Sequence, residues 1–349
     1  MKADTISSLA GREILRSAMA RNQTSLTDAL KEFSTGRYAD VGKALGGRIG
    51  GVLDMRNIVG SLTGLTNTNS VVKQRMDHVQ SSFAALRDLG ADFSESTLGV
   101  HKTGADRGLL ISDAKARMAT LTDVLTTSTN GVYAFSGLNV SVPPIDNYLS
   151  DPPSAARAAV IATFTTEFGF PPDDPQVVTI TPAQMEAYID GPFSALFEEP
   201  QWSANFSQAT DEVMRDRISQ HEEIDTSATA NDAGIRKIFF SLTLAIDGGA
   251  EHLRTDTYEV LATRIANAAS EGGHNIAASQ ARVGVAEERL AQANERIDLE
   301  KQTLEGRIGE LEGVDAYEVA DRLSLLMTRI ESSYSVTARM QQLTLLNYL

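Results

Sequence analysis

Two stretches carry residues that could do chemistry. The first is GKALGGRIGG (residues 42–51), whose glycines suggest a loop that cradles phosphates with its backbone N–H groups. The phosphate-loop pattern G-x-x-x-x-G-K-[ST] is not met. Ala44 follows Lys43, Arg37 stands where the first glycine belongs, and no strand-like segment precedes it. The second is the pair of acidic runs PDD (172–174) and EEID (222–225), whose carboxylates could share acid–base work. Such runs are more often solvated faces. The five histidines (His78, His101, His221, His252, His274) show no metal-ligand spacing, and cysteine is absent, which excludes thiol catalysis, disulfides and Cys-based metal sites. No G-x-S-x-G elbow occurs. The expectation is a protein with no catalytic residues, no cofactor and no metal.

The totals point the same way. In 349 residues, hydrophobic content is 42% but aromatics are only 6%, which suits long helices better than a compact enzyme core. A formal charge of −15 argues against a nucleic-acid partner, which needs clustered Lys and Arg. No apolar run approaches the ~20 residues of a membrane span, so no membrane insertion is expected. Arg12 and Arg16 interrupt the place where the apolar core of a secretory signal would sit, so export, if it occurs, is expected without a cleaved signal.

The elements that must position any site are two long arms. All ten prolines lie between Pro143 and Pro200, leaving proline-free flanks that can be helical throughout. Charge follows the same border, because residues 137–230 hold fifteen Asp and Glu against Arg157, Arg215 and Arg217. In the first arm Ile58, Leu62, Leu65, Asn69, Val72, Met76, Val79, Phe83 and Leu86 recur in steps of four and three, a heptad seam in which Asn69 could fix register. In the second arm Val283, Leu290, Ile297, Leu304 and Leu311 recur every seven residues. The middle contains strand candidates at 132–135, 177–180 and 237–242, the last equally readable as the start of the returning helix.

The ends match each other. Leu15, Met19, Leu26, Leu30 and Phe33 form an apolar stripe before Gly36. Val319, Leu323, Leu326, Ile330, Tyr334, Met340, Leu343, Leu345, Leu346 and Leu349 form another after Gly313. Glycines at 36, 42, 46 and 47 and at 306, 309 and 313 are expected to break the arms as hinges (Gly36, Gly42, Gly46, Gly47, Gly306, Gly309, Gly313). A lone helix pair buries too little to stand by itself, so the stripes are expected to meet other protomers. Docking of the ends on their own chain is the competing possibility.

The residues also carry a resemblance. QTSLTDALKEFSTGRYADVGKALG (23–46) resembles the L-x-x-x-S-[ST]-G-[RK] segment of the flagellin superfamily of bacterial axial proteins, and TNTNSVVKQRMDHVQSSFAAL (66–86) resembles the long helix that follows it. NGVYAFSG (130–137) is similar to that family's entry into its variable domain. Near the other end, Glu312-Gly313-Val314-Asp315, Tyr334-x-x-Thr337-Ala338-Arg339 and Leu345-Leu346-Asn347-Tyr348-Leu349 are similar to its closing helices. Flagellins usually carry Asp-Asp after the S-G-x-R segment. Here Asp40 stands alone, which, with the Tyr-x-x-Thr-Ala-Arg ending, favours the hook–filament junction members.

The resemblance implies a mainly α fold, with long helical coiled-coil or rod domains formed by both chain ends and a central α+β variable domain. The expected borders are an inner helix and hinge at 1–50 pairing with 306–349, rod halves at 51–136 and 236–305, and an outer domain at 137–235. It also implies a self-assembling structural subunit, in a ring or helical layer, set between an adjacent hook-associated protein and flagellin. Export through the flagellar type III machinery with an export chaperone would follow. The alternatives are the bulk filament subunit and, from another class, a cytoplasmic coiled-coil binding protein or enzyme with an acidic central domain.

Overall fold

The computed structural model describes residues 2–103, 106–129 and 131–346, with side chains described over 13–100, 106–129 and 131–339. The fold is mainly α. Its helices are α1 (Lys2–Thr35), α2 (Val41–Leu45), α3 (Ile49–Thr103), α4 (Arg107–Thr126), α5 (Ala155–Phe168), α6 (Pro182–Tyr188), α7 (Gln201–Asn205), α8 (Ala233–Asp247), α9 (Thr255–Glu312) and α10 (Ala316–Leu346). Two small antiparallel hairpins complete it: β1 (Ser128–Thr129) with β2 (Val132–Tyr133), and β3 (Arg215–Arg217) with β4 (Glu223–Asp225). The chain divides into two compact units, residues 1–64 with 296–349 and residues 65–295.

The larger unit is built around α8. Its sequence AGIRKIFFSLTLAID is apolar on nearly every side, and a helix of that kind must be enclosed. Eleven of its fifteen residues are buried. Close approach to α9 depends on Gly234 and Gly272. A Cβ on Gly234 would lie 2.6 Å from Ile276 Cγ1, 2.7 Å from Ile276 N and 2.8 Å from the Gly272 carbonyl oxygen. Gly234→Ala is therefore expected to cost about 1–3 kcal/mol by forcing backbone apart, measured as a lower urea midpoint at unchanged slope.

The acidic middle does not stand apart from the helices. α5, α6, the helical turn Ile189–Phe193 and α7 lay Phe164, Tyr188, Phe193 and Trp202 into the same core as Phe239, Leu242 and Ile265. Trp202 stacks on Phe206 at 5.2 Å and meets the edge of Phe239 at 5.8 Å. Charge therefore marks the outer face of this segment, while its apolar face is continuous with the bundle. Proline also acts differently from expected, because several prolines sit at or near helix starts. Thr181 caps α6 with Pro182 in the first turn and a reciprocal bond to Gln184, and Ser154 caps α5 two residues after Pro152.

The strand candidates mostly resolve otherwise. Residues 177–180 lie in and just after a 3₁₀ turn (Pro175–Thr179), 237–242 are helical within α8, and only Val132–Tyr133 pairs as a strand. Short apolar runs suit either element when buried. The β3–β4 hairpin lies on α3 and α9, its Ile218 and Ile224 packed with Val72, Met76, Leu290 and Ala293. Asn69, fully buried, donates from Nδ2 to the Ile218 carbonyl at 2.9 Å and to Asn294 Oδ1 at 2.7 Å.

Of the seam positions, Leu62, Val72, Met76, Val79, Phe83 and Leu86 are all buried, with Leu65 and Val283 half-buried and Leu290 and Ile297 buried. Ile58 departs from it and is 39% exposed. Val52, Met55 and Val59 face the core there instead, with Leu45, Ile308 and Leu311. A strict seven-residue repeat drifts ~20° per heptad around a straight helix, so back-extrapolation from Leu62 slips by one residue.

Gly306 and Gly309 do not break the second arm, since α9 continues through both to Glu312. A helical glycine costs about 1 kcal/mol against alanine, and burial of Ile308 beside half-buried Leu304 and Leu311 offsets it. Gly42 lies within α2, and Gly46 and Gly47 form a 3₁₀ turn leading into α3. The turns between helices fall at Gly36, with φ of 68°, and at Gly313.

Candidate assembly surface

Four of the five carboxylates considered for catalysis have other partners. Glu222 accepts from Arg289 at 3.0 Å, Glu223 from Arg217 at 3.4 Å and Asp225 from Arg215 at 2.8 Å. Asp174 accepts from the Gln176 N–H at 2.7 Å and starts the 3₁₀ turn. The glycine segment 42–51 is α2, a turn and the first residues of α3, with no strand leading into it. Among the described residues, no group of three His, Asp or Glu could hold a metal ion, and no helix is long and apolar enough to cross a membrane.

The terminal stripes, by contrast, come together. α1 and α10 pack antiparallel: Gln23 Nε2 donates to Tyr334 Oη at 3.3 Å, and Arg322 pairs with Glu32, nine residues further along α1 and twelve residues back along α10. Ala29, Val319 and Leu326 are buried between them. Leu15, Met19 and Leu26 on α1, and Leu323 and Ile330 on α10, are half-buried. Leu30, Phe33 and Tyr334 remain 45%, 57% and 53% exposed. Ile14, Leu325, Met327 and Val336 are also exposed and add apolar surface that the stripe pattern did not single out. The side chains of Met340, Leu343, Leu345 and Leu346, and Leu349 altogether, lie outside the described residues.

Below this pair, the chain crosses to α3 and α9 through two short links. Arg37 and Gly313 form an antiparallel bridge, the Tyr38 N–H donates to the Glu312 carbonyl at 3.0 Å, and the Val314 N–H donates to the Gly36 carbonyl at 3.0 Å. Glu312 is buried there, and Arg56 Nη2 donates to its two carboxylate oxygens at 2.7 and 2.8 Å. Arg37 Nη1 reaches the same carboxylate at 3.3 Å. Glu32 accepts from the Ala39 N–H at 3.0 Å and pairs with Arg322. Neither carboxylate stood out in the sequence for its burial. Glu312 was notable only within the Glu-Gly-Val-Asp resemblance.

Comparison with known proteins agrees with this arrangement. The bacterial flagellin N-terminal helical region matches residues 6–140, and the bacterial flagellin C-terminal helical region matches residues 267–349. No curated protein matches the chain. Among solved structures, one assigned as a flagellar hook-associated protein from Vibrio parahaemolyticus aligns over 82% of this chain and 95% of its own, at 11% identity and a TM-score of 0.39. That likeness is too distant to bear on fold or role. The two matched regions together span more than half of the sequence, in order and at its two ends, and they contain both helices of the apolar pair; the chain belongs to the flagellin family and is a structural subunit of the bacterial flagellum.

Proposed function

We propose that this subunit sits at the hook–filament junction and assembles through its terminal helices. One observation carries the assembly part: α1 and α10 bury one side of their stripes against each other and leave Leu30, Phe33 and Tyr334 exposed. Large apolar side chains gathered in that way mark a surface meant for a partner. Copies of the same chain, an adjacent hook-associated protein and flagellin are the partners proposed. Export through the flagellar type III machinery, with a chaperone covering the apolar ends beforehand, belongs to the same proposal. Of the seven glycines expected to bend the chain, Gly36 and Gly313 are the two proposed to set the angle of the terminal pair.

The junction role, as against the bulk filament, rests on the single Asp40 after the S-T-G-R segment and on the Tyr334-x-x-Thr337-Ala338-Arg339 ending. A deletion strain tests it. The expected result in electron micrographs is hooks without filaments, with unpolymerised flagellin in the medium. A strain that makes no filament protein at all would assign this chain to the bulk filament instead.

A further inference from the structure

We infer that Glu312 is a charge latch that locks the joint between the terminal helix pair and the adjoining ends of α3 and α9, so that the joint is held by one carboxylate and does not swing freely on its glycines. Among the described ion pairs its side chain is the least exposed, at 1%. A buried carboxylate is costly unless it is paired and hydrogen-bonded, so this one constrains whatever supplies its partners. Those partners come from different pieces of chain. Arg56 belongs to α3, Arg37 to the link leaving α1, and Glu312 itself ends α9. The main-chain bonds of Tyr38 and Val314 close the same ring of contacts, and Glu32 pins the other side of the link through the Ala39 N–H and Arg322. The links contain Gly36 at positive φ and Gly313, so without the latch the backbone at these points could turn.

The arrangement also indicates what happens when the charge is removed. Arg37 and Arg56 keep 55% and 50% of their side-chain surface exposed, so both guanidinium groups can return to water. The surrounding core of Leu45, Val52 and Ile308 and the α1–α10 pairing do not depend on the carboxylate. Glu312→Gln should therefore keep its helices and lose the fixed angle.

The chain has no cysteine, so Asn57→Cys on α3 and Arg329→Cys on α10, both exposed, can carry a pair of nitroxide labels in the full-length monomer. The wild-type background should give one narrow distance distribution. Glu312→Gln should broaden it at least about twofold and raise protease cleavage in the 36–40 and 313–315 links about tenfold or more, as local opening becomes easier. Glu310→Gln, two residues earlier on α9 and exposed, should change neither. Unchanged width and cleavage in Glu312→Gln would overturn the inference and leave packing as the lock. If Glu312→Gln loses helicity, Arg37→Gln is measured in its place. It removes only the 3.3 Å contact from the exposed side, and an unchanged width there would overturn the inference equally. Because the measurement is made on the monomer, its outcome does not depend on the junction role.

Discussion

Replacing Leu30 and Phe33 together by aspartate is expected to abolish assembly while leaving the monomer folded. Both side chains continue the α1 stripe but are 45% and 57% exposed in the single chain, so they contribute little to its own core. Surface changes of that kind usually stay within about 0.5 kcal/mol of the parent in stability. In an assembled layer the same positions would face neighbouring subunits, and each aspartate would have to be buried without a partner. Several kcal/mol of penalty per contact, at ~1.4 kcal/mol for each tenfold change, predicts a loss of at least about 100-fold in association. Circular dichroism should show unchanged helicity, and sedimentation should show only monomer under conditions where the parent polymerises. Normal polymers from the double variant would show that these residues are not the assembly surface.

Asp247→Ala should produce a large loss of stability in the 65–295 unit. Asp247 ends α8, is 6% exposed, and accepts from Tyr148 Oη at 2.7 Å and from Arg157 Nη2 at 3.0 Å and Nε at 3.1 Å. Burial, and then the adjacent Asp247 charge, hold the Tyr148 phenol well above its ordinary pKa, so it remains a donor throughout the neutral range. Removing the carboxylate leaves a buried hydroxyl without an acceptor and a guanidinium that is only 27% exposed. Breaking a buried pair in this way costs about 3–5 kcal/mol, and the partial exposure of Arg157 places the expectation at about 3. For a unit of this size that corresponds to a fall in Tm of about 6–12 °C. Asp247→Asn keeps an acceptor for Tyr148 and should lose clearly less. A calorimetric Tm within 2 °C of the parent for Asp247→Ala, on the order of measurement scatter, would contradict the account.

The sequence patterns reveal the arms well because a heptad repeat is local. Leu62, Val72, Met76, Val79, Phe83 and Leu86 all bury as their spacing demands. The same logic places Leu15, Met19 and Leu26 on one stripe of α1 and Val319, Leu323 and Leu326 on one stripe of α10, and the two helices pack antiparallel. It goes astray at Ile58, where a one-residue phase slip moves the buried face to Val59. The middle was harder to interpret for two reasons. KIFFSL has the composition of a strand and becomes helix because it is enclosed on all sides. Thr181-Pro182-x-Gln184 is a helix start written in proline, and it reads as a loop when proline is treated only as a breaker. The burial of Glu312 and Asp247 was not legible at all. Arg56 lies 256 residues from Glu312, and Arg157 lies 90 from Asp247, so nothing in either neighbourhood announces the pairing.

The shared core of α5–α8 has a practical consequence for anyone hoping to display a foreign peptide on this scaffold. Excising 137–230 wholesale would strip the wall from Phe239 and Leu242 and expose a greasy helix to water. The tip of the β3–β4 turn offers a gentler graft point, since Gln220 and His221 face solvent while Ile218 and Ile224 anchor the hairpin beneath them. Cargo inserted there would ride outside the bundle and leave its interior intact.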